Sequence, residues 1–496
     1  MRYDVIVAGG GHNGLVCAAV LARAGRRVLV VERRERTGGI LDGVVSTVGR
    51  LRPGLVAELE LERHGLELVR PPIRMLALRE GGAPIAFWSD PARTAESLAA
   101  VSSADSAAFP KFDAHVRVLA RFLGELAEVT PPRIDSGALG DWQAGLRLAR
   151  AYRRLDARSA RELTRAIPMA AADFVGEWVE SDAVRGALAA RGSLFTAMGP
   201  WSAGTAAVLL ADSAGNDGGA AGQTAFAKGG STALAAALEA AATAAGATVR
   251  TGAEVERLLV RGGRVHGVVL ASGEELEASV VASGADPKTA LTRWLDPEEA
   301  GPRLRWRAGN IRTPGATAVV ELDLSAAPAF AGVDDPELLS GRIVVAPGVD
   351  HVERAYDCWK YGTPSERPYL EATLAGGTLH VLAQWIPHDA DPDAVGDLVV
   401  AELERHAPGI TSVVAGRRAL TPALLERDYG LAGGHIYHGE PGLDQFFAWR
   451  PVLGLARYRL GVPGLYLCGS GAHPGGGVTG GPGRNAAREI LADLAG

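Results

Sequence analysis

The sequence predicts an α/β fold in which a helix-flanked parallel sheet is assembled from three separated pieces of chain, with an α+β portion inserted between them. Three observations carry this. Residues 3–32 read strand, glycine turn, helix, strand; residues 224–285 add a helix and several strands joined by glycine turns; residues 464–494 end the chain in strand, glycine stretch, helix. The strands are short apolar runs, as buried parallel strands are, and the helices repeat their apolar positions with the helical period.

In the first piece, Tyr3–Ala8 is a buried strand, residues 15–22 lie on a helix closed at Gly25, and Arg27–Glu32 is a second strand. Gly9, Gly11 and Gly14 satisfy G-x-G-x-x-G in strand–turn–helix context. Gly9 permits the tight turn, Gly11 lets a pyrophosphate approach the backbone, and Gly14 packs helix on strand. His12 and Asn13 sit in that turn, where the helix N-terminus offers N–H groups and a positive dipole end to phosphates. Glu32 ends the second strand, 18 residues after Gly14, where a carboxylate accepts hydrogen bonds from ribose hydroxyls. The ligand is therefore a dinucleotide. Arg33 follows, and Gly38-Gly39 place a second glycine pair just beyond the acidic strand end. That pair resembles the signature of glutathione-reductase-type proteins, which implies FAD. No second strand, G-x-G-x-x-G, helix unit is readable, so a built-in NAD(P)H domain is not expected.

In the second piece, Lys228-Gly229-Gly230 precedes a helix over 232–245 closed by Gly246. Strands follow at 248–250, 253–260, 264–270 and 277–283, with Gly262-Gly263 at a hairpin turn. The pattern resembles the part of FAD domains that packs under the adenine, which implies backbone contacts from Val255. In the third piece, a strand over 464–469, ending in Gly469, enters Ser470 and a glycine-rich stretch through Val478, Thr479 and Gly480, before a helix over 484–494. So many glycines ahead of a helix mean backbone lying flat against a ligand, here the isoalloxazine ring, with the helix N-terminus favouring negative charge at its N1–C2=O edge.

The expected organisation is a discontinuous Rossmann-type FAD-binding domain, of glutathione-reductase or monoamine-oxidase type, over 1–75, 224–300 and 455–496. An inserted α+β substrate-binding domain covers 76–223 and 301–454. Helical periodicity over 109–126, 141–152 and 172–188 places helices in the first insert, and strands at 316–322 and 378–385 with a helix at 393–406 place a mixed fold in the second. The uncharged run Gly192–Ala211 is interrupted by Gly199-Pro200 and Gly204, and reads as core or cavity wall rather than a membrane span.

Composition bounds the function. Of 496 residues, 47% are hydrophobic and 22% charged, which is globular arithmetic. A net charge of −6 with interspersed signs argues against nucleic acid as a partner. Three distant cysteines, Cys17, Cys358 and Cys468, exclude a disulfide scaffold and a thiolate metal site; no metal is expected. They suit a reducing cytosol, and residues 1–8 show no secretory signal, so a cytoplasmic location is expected.

The stretches GGGHNGLVCAAVLARAGRRVLVVERRERTGG and LRPGLVAELELERHGLEL near the start, and GLYLCGSGAHPGGGVTGGPGRNAAREIL near the end, resemble the phytoene-desaturase-like flavoproteins. Within these, the likeness is to the branch named for pyridine nucleotide-disulfide oxidoreductase domain-containing protein 2. The resemblance implies FAD, a two-domain fold like monoamine oxidase, and dehydrogenation or desaturation of a largely apolar or tailored small molecule. It also implies electron transfer to oxygen or a quinone-type acceptor, and leaves peripheral membrane contact open; LRLARAYRRLDAR at 146–158 reads as a solvated helix face. A redox-neutral flavin isomerase and a non-enzymatic lipid carrier share the overall fold, and the flavin-facing glycines count against the carrier. Candidates to assist the chemistry are His473 in the glycine loop, and His435, Tyr437 and His438 in GGHIYHGE. Trp385, Trp449 and Arg450 are cavity-wall candidates, Cys17 is core, and Cys468 is a candidate for covalent flavin attachment.

Overall fold

The computed structural model describes residues 3–133, 139–215 and 218–495. Apolar runs with no polar face can only be buried on both sides, and they form a parallel sheet. Its strand order is Thr248–Arg250, Val28–Val31, Tyr3–Ala8, Glu275–Ser283, Leu465–Leu467. Val5 faces Val28 on one side and Val280 on the other, and Val281 faces Leu465. Thus all three predicted pieces contribute to one sheet. The strand Glu275–Ser283 enters it from an antiparallel ladder with Arg264–Leu270, which in turn pairs with Val255–Arg261.

The first helix, His12–Arg23, lies against the last, Gly481–Ala495, and against Ser231–Ala244. Its fit on the glycine turn is tight: a Cβ on Gly14 would lie 2.0 Å from the carbonyl oxygen of Gly9. Only glycine lets helix and turn approach so closely.

A second, mostly antiparallel sheet runs in the order Val414–Leu420, Thr317–Leu324, Thr378–Gln384, Leu370–Ala375, Arg342–Val345, Ile73–Ala77, Ile85–Trp88. Alternation along its strands separates two faces. Leu370, Ala372, Leu379 and Val381 pack under the helix Pro392–Glu404 through Val395 and Val399. Glu371, Thr373, His380 and Leu382 point the other way, into a cavity.

The predicted helix over 172–188 is two helices, Ala171–Gly176 and Asp182–Ala189. The break has a local cause. The buried Asp105 carboxylate accepts the N–H groups of Glu180 (2.7 Å) and Ser181 (3.0 Å), which a continuous helix would have used internally. Residues 192–211 are largely buried and end in the short helix Thr205–Asp212, and no helix among the described residues is long and apolar enough to cross a membrane. The helix Leu139–Arg153 exposes Arg147, Arg150 and Arg153 as the solvated face predicted, and leaves Leu139 and Trp142 exposed beside them.

Candidate active site

The glycine turn, the end of the strand Val28–Val31 and the last strand converge on a cavity of about 410 Å³. Gly9, Gly11, His12, Asn13, Gly14, Glu32, Arg33, Gly39, Val255, Gly469 and Ser470 all line it, although they come from three distant parts of the sequence. Gly38 is the cofactor candidate from the second glycine pair that lies behind the wall: its N–H donates to the Gly10 carbonyl (2.9 Å) and it packs on Ala235, so it shapes the turn.

Glu32 is buried and fixes that turn. One carboxylate oxygen accepts the N–H of Gly10 (2.7 Å), and the other accepts that of Arg34 (3.0 Å). The Asn13 amide donates to the Ser470 hydroxyl (3.0 Å), tying the N-terminal motif to the C-terminal one. Polar groups are nevertheless left over. His12 Nε2 and Asn13 Oδ1 are buried without a partner among the described residues, and the N–H groups of Asn13 and Gly14 find no acceptor there. A Cβ on Gly11 would meet nothing within 4 Å. Free donors at a helix N-terminus around open space fit a pyrophosphate, and a buried carboxylate at the strand end fits a ribose. Burial holds His12 down at about 3, so its ring is neutral.

Glu32→Ala removes the buried carboxylate at the strand end and with it the clamp on Gly10. Titrating apoprotein with FAD should show affinity weakened by about 1.5–3 kcal/mol, roughly 10- to 100-fold. Unchanged affinity would reduce Glu32 to a packing residue.

Beyond Ile40, which also lines the dinucleotide cavity, lies a lobe of about 60 Å³ between the loop residues Gly477 and Val478 and the second sheet. A second lobe of about 60 Å³ adjoins it, sharing Arg50, Arg191, Leu194, Asp212 and Tyr437. The N–H groups of Gly477, Val478, Thr479 and Gly480 find no acceptor among the described residues, and they precede the N-terminus of the last helix. Val478 lines the lobe, whereas Thr479 and Gly480 lie behind it; the Thr479 hydroxyl accepts the Gly481 N–H (3.1 Å).

The walls of this space carry a buried ion cluster. The Glu371 carboxylate accepts from Arg191 (3.2 Å), Arg342 (3.2 Å) and the Tyr369 hydroxyl (2.7 Å), and Asp212 pairs with Arg191. Arg342 also donates to the Thr224 hydroxyl (2.9 Å) and the Ala221 carbonyl.

The four residues proposed to assist the chemistry separate. Tyr437 lines both lobes, its ring 4.6 Å from that of Phe195, and burial pushes its hydroxyl up to about 12. His438 lines the dinucleotide cavity beside His12, and burial pushes its pKa down. His435 is turned into its own loop, where Nδ1 accepts the Tyr437 N–H (3.2 Å), and burial lowers it to about 3. His473 is the departure from expectation. It lines none of these cavities; Nε2 donates to the Leu126 carbonyl (3.0 Å), its ring lies edge-on to Phe447, and burial holds it at about 4.

Trp385 is buried and donates to the Thr196 carbonyl (3.2 Å), Trp449 is half exposed, and Arg450 lines the second lobe while clamping the carbonyls of Tyr437 and Ser470 (2.8 Å each). Cys468 donates to the Ser283 carbonyl (3.3 Å) and lines none of these cavities, and contact with it and burial push the Cys17 thiol up. Sequence reasoning missed Ile40, Arg293, Trp294 and Tyr429 as cavity residues. Of these only Ile40, directly after Gly39, carried a usable signal.

Known proteins share this fold. The family model for flavin containing amine oxidoreductase matches residues 14–491. The chain is 32% identical over 547 residues to pyridine nucleotide-disulfide oxidoreductase domain-containing protein 2 of Rattus norvegicus, spanning 99% of this chain and 94% of that one. An oxidoreductase from Methanosarcina mazei has a similar structure, with a TM-score of 0.61 at 15% identity over 100% of both chains. Cyclohexylamine oxidase from Brevibacterium oxydans gives 0.59 at 17% identity, again over 100% of both.

Proposed function

The chain belongs to the flavin containing amine oxidoreductase family, and from that premise we propose that this FAD-dependent oxidoreductase dehydrogenates a small organic molecule held in the two lobes beside Val478. The electrons then pass to oxygen or a quinone-type acceptor. Bound FAD supplies the two-electron acceptor for C–H oxidation. The observation that carries the reading is continuity. Ile40 lines both the dinucleotide cavity and the first lobe, so a ligand anchored at Gly11 reaches the loop that the lobe shares with the substrate.

The chain's own residues bind, orient and exclude water. The free N–H groups from Gly477 to Gly480 present positive potential at a buried place, where fixed donors act most strongly. Tyr437, protonated at neutral pH, orients through its hydroxyl and the face of its ring. The ion cluster holds the lobe walls in one arrangement. The division into an FAD-binding part (1–75, 224–300, 455–496) and a substrate part (76–223, 301–454) is included in this reading, supported by the two separate sheets.

The test is anaerobic. A panel of small organic molecules should contain some that bleach the yellow flavin, with colour restored by oxygen or a quinone. NADH or NADPH at micromolar concentration should bleach it only slowly, because the sequence contains one dinucleotide-type glycine unit. Fast bleaching by either nucleotide would overturn the expectation that reducing equivalents come from an organic substrate.

A further inference from the structure

The charged groups around the lobes balance with two exceptions, Arg50 and Arg450, and Arg450 turns its Nε and Nη2 to the carbonyls of Ser470, Tyr437 and Gly439. Arg191 is held by Asp212 and Glu371, and Arg342 by Glu371. Arg50 lines both lobes, yet it has no carboxylate partner among the described residues. Its Nη1 donates to the Gly476 carbonyl (3.2 Å) and the guanidinium lies against the Tyr437 hydroxyl, while its buried Nε finds no acceptor. Four guanidinium groups thus line the lobes with two carboxylates, and of the two without a carboxylate Arg50 is the one whose Nε is left without an acceptor. His380, the remaining titratable side chain at the first lobe apart from Tyr437, is held down at about 4 by burial and adds no charge at neutral pH.

A partly buried guanidinium with a free donor, in a space narrowed by protein, is completed by an anion. The second lobe shows what accompanies that anion. Beside its polar side chains, which include Tyr437, Gln445 and Arg450 as well as Arg50, Arg191 and Asp212, its wall carries an apolar stretch of Leu194, Ala207, Val208, Leu443 and Phe446. None of the residues lining that lobe lines the dinucleotide cavity, so Arg50 faces space that the cofactor's adenine and phosphate end does not reach.

We propose that Arg50 anchors an anionic group on the substrate, so that the molecules oxidised are amphipathic organic acids, with a carboxylate at Arg50 and an apolar body in the second lobe. This assignment rests on the reading of the lobes as the substrate site. It narrows the largely apolar substrate expected from sequence to one with a charged end. Arg50 acts as a binding and orienting residue. It fixes which carbon of the acid lies beside Val478, and it takes no part in proton transfer.

The experiment uses the purified FAD-bound protein and four probes: hexanoate and benzoate, and their uncharged counterparts hexanamide and benzamide. Binding is read from the perturbed flavin absorbance and, independently, from thermal shift. The acids should bind roughly tenfold or more tightly than the amides, as expected for a charge-assisted contact. Arg50→Gln should erase that ratio, and Arg50→Lys should restore part of it without the bidentate geometry. Acids and amides binding alike, or neither binding to the wild type, would overturn the proposal. So would an Arg50→Gln protein that keeps the acid preference; if its flavin potential were shifted instead, Arg50 would serve the cofactor. Should Arg50→Gln fail to fold, loss of acid preference at high salt in the wild type supplies the same reading. Absence of FAD from the purified protein would sink the oxidoreductase reading separately, since the thermal shift with acids still reports on Arg50 in the apoprotein.

Discussion

Replacing Gly11 with valine is expected to give a folded protein that no longer holds FAD. The backbone at Gly11 is extended, at φ −67° and ψ 169°, which a β-branched residue adopts without strain. The new Cβ would meet nothing within 4 Å, because it projects into the cavity. The side chain therefore costs the fold little beyond a poorer helix cap, about 1 kcal/mol. It occupies the place of a pyrophosphate. Affinity should fall by on the order of a thousandfold, about 4 kcal/mol. Gly14→Ala is the contrasting control, since its Cβ would collide with the Gly9 carbonyl at 2.0 Å and damage the fold itself. The measurements are flavin content after reconstitution and the melting temperature of the apoprotein. A yellow Gly11→Val protein would mean that the phosphates lie elsewhere.

The parts of the molecule that were legible in sequence are those whose signals are local. Strand, glycine turn and helix follow one another within residues 3–31, and the hairpin ladder lies within 255–283. Hydrophobic period and glycine spacing suffice for such units. The second sheet was only half legible. Thr317–Leu324 and Thr378–Gln384 alternate cleanly, but Arg342–Val345 is short and finds its parallel partner at Ile73–Ala77, far away in the chain. Val414–Leu420 contains Gly416, Arg417 and Arg418 and has no readable apolar face.

The same distinction runs through the site. The cofactor candidates come from local motifs, and most of them line the cavity. The ion cluster does not: Arg191, Asp212, Arg342 and Glu371 come from four segments, and each alone reads as surface charge. His473 misled because a glycine loop beside a cofactor suggests catalysis. A helix leaves its last four carbonyls without internal partners. His473 and Asn485 donate to those of Leu126 and Ala127 at the end of Ser103–Ala127, a demand set by a helix remote in sequence.

Glu371→Ala is expected to be the most destabilising single substitution in the substrate region. Glu371, Arg191 and Arg342 are each at most 6% exposed, so the carboxylate neutralises two guanidinium groups that water does not reach. Arg191 would retain Asp212, but Arg342 would keep only the Thr224 hydroxyl and the Ala221 carbonyl. Removing one partner of a buried ion cluster leaves an uncompensated charge and costs about 3–5 kcal/mol, whereas replacing the whole pair by apolar groups is often neutral. The order of melting temperatures is therefore diagnostic. Glu371→Ala should melt lowest, Glu371→Gln higher, because the amide oxygen still accepts hydrogen bonds, and the Glu371→Met, Arg342→Met double variant closer to wild type than Glu371→Ala. Differential scanning calorimetry of the FAD-bound proteins reads all three. If Glu371→Ala melted with the wild type, the cluster would be open to water, and the lobe walls would have to be held by the sheet alone.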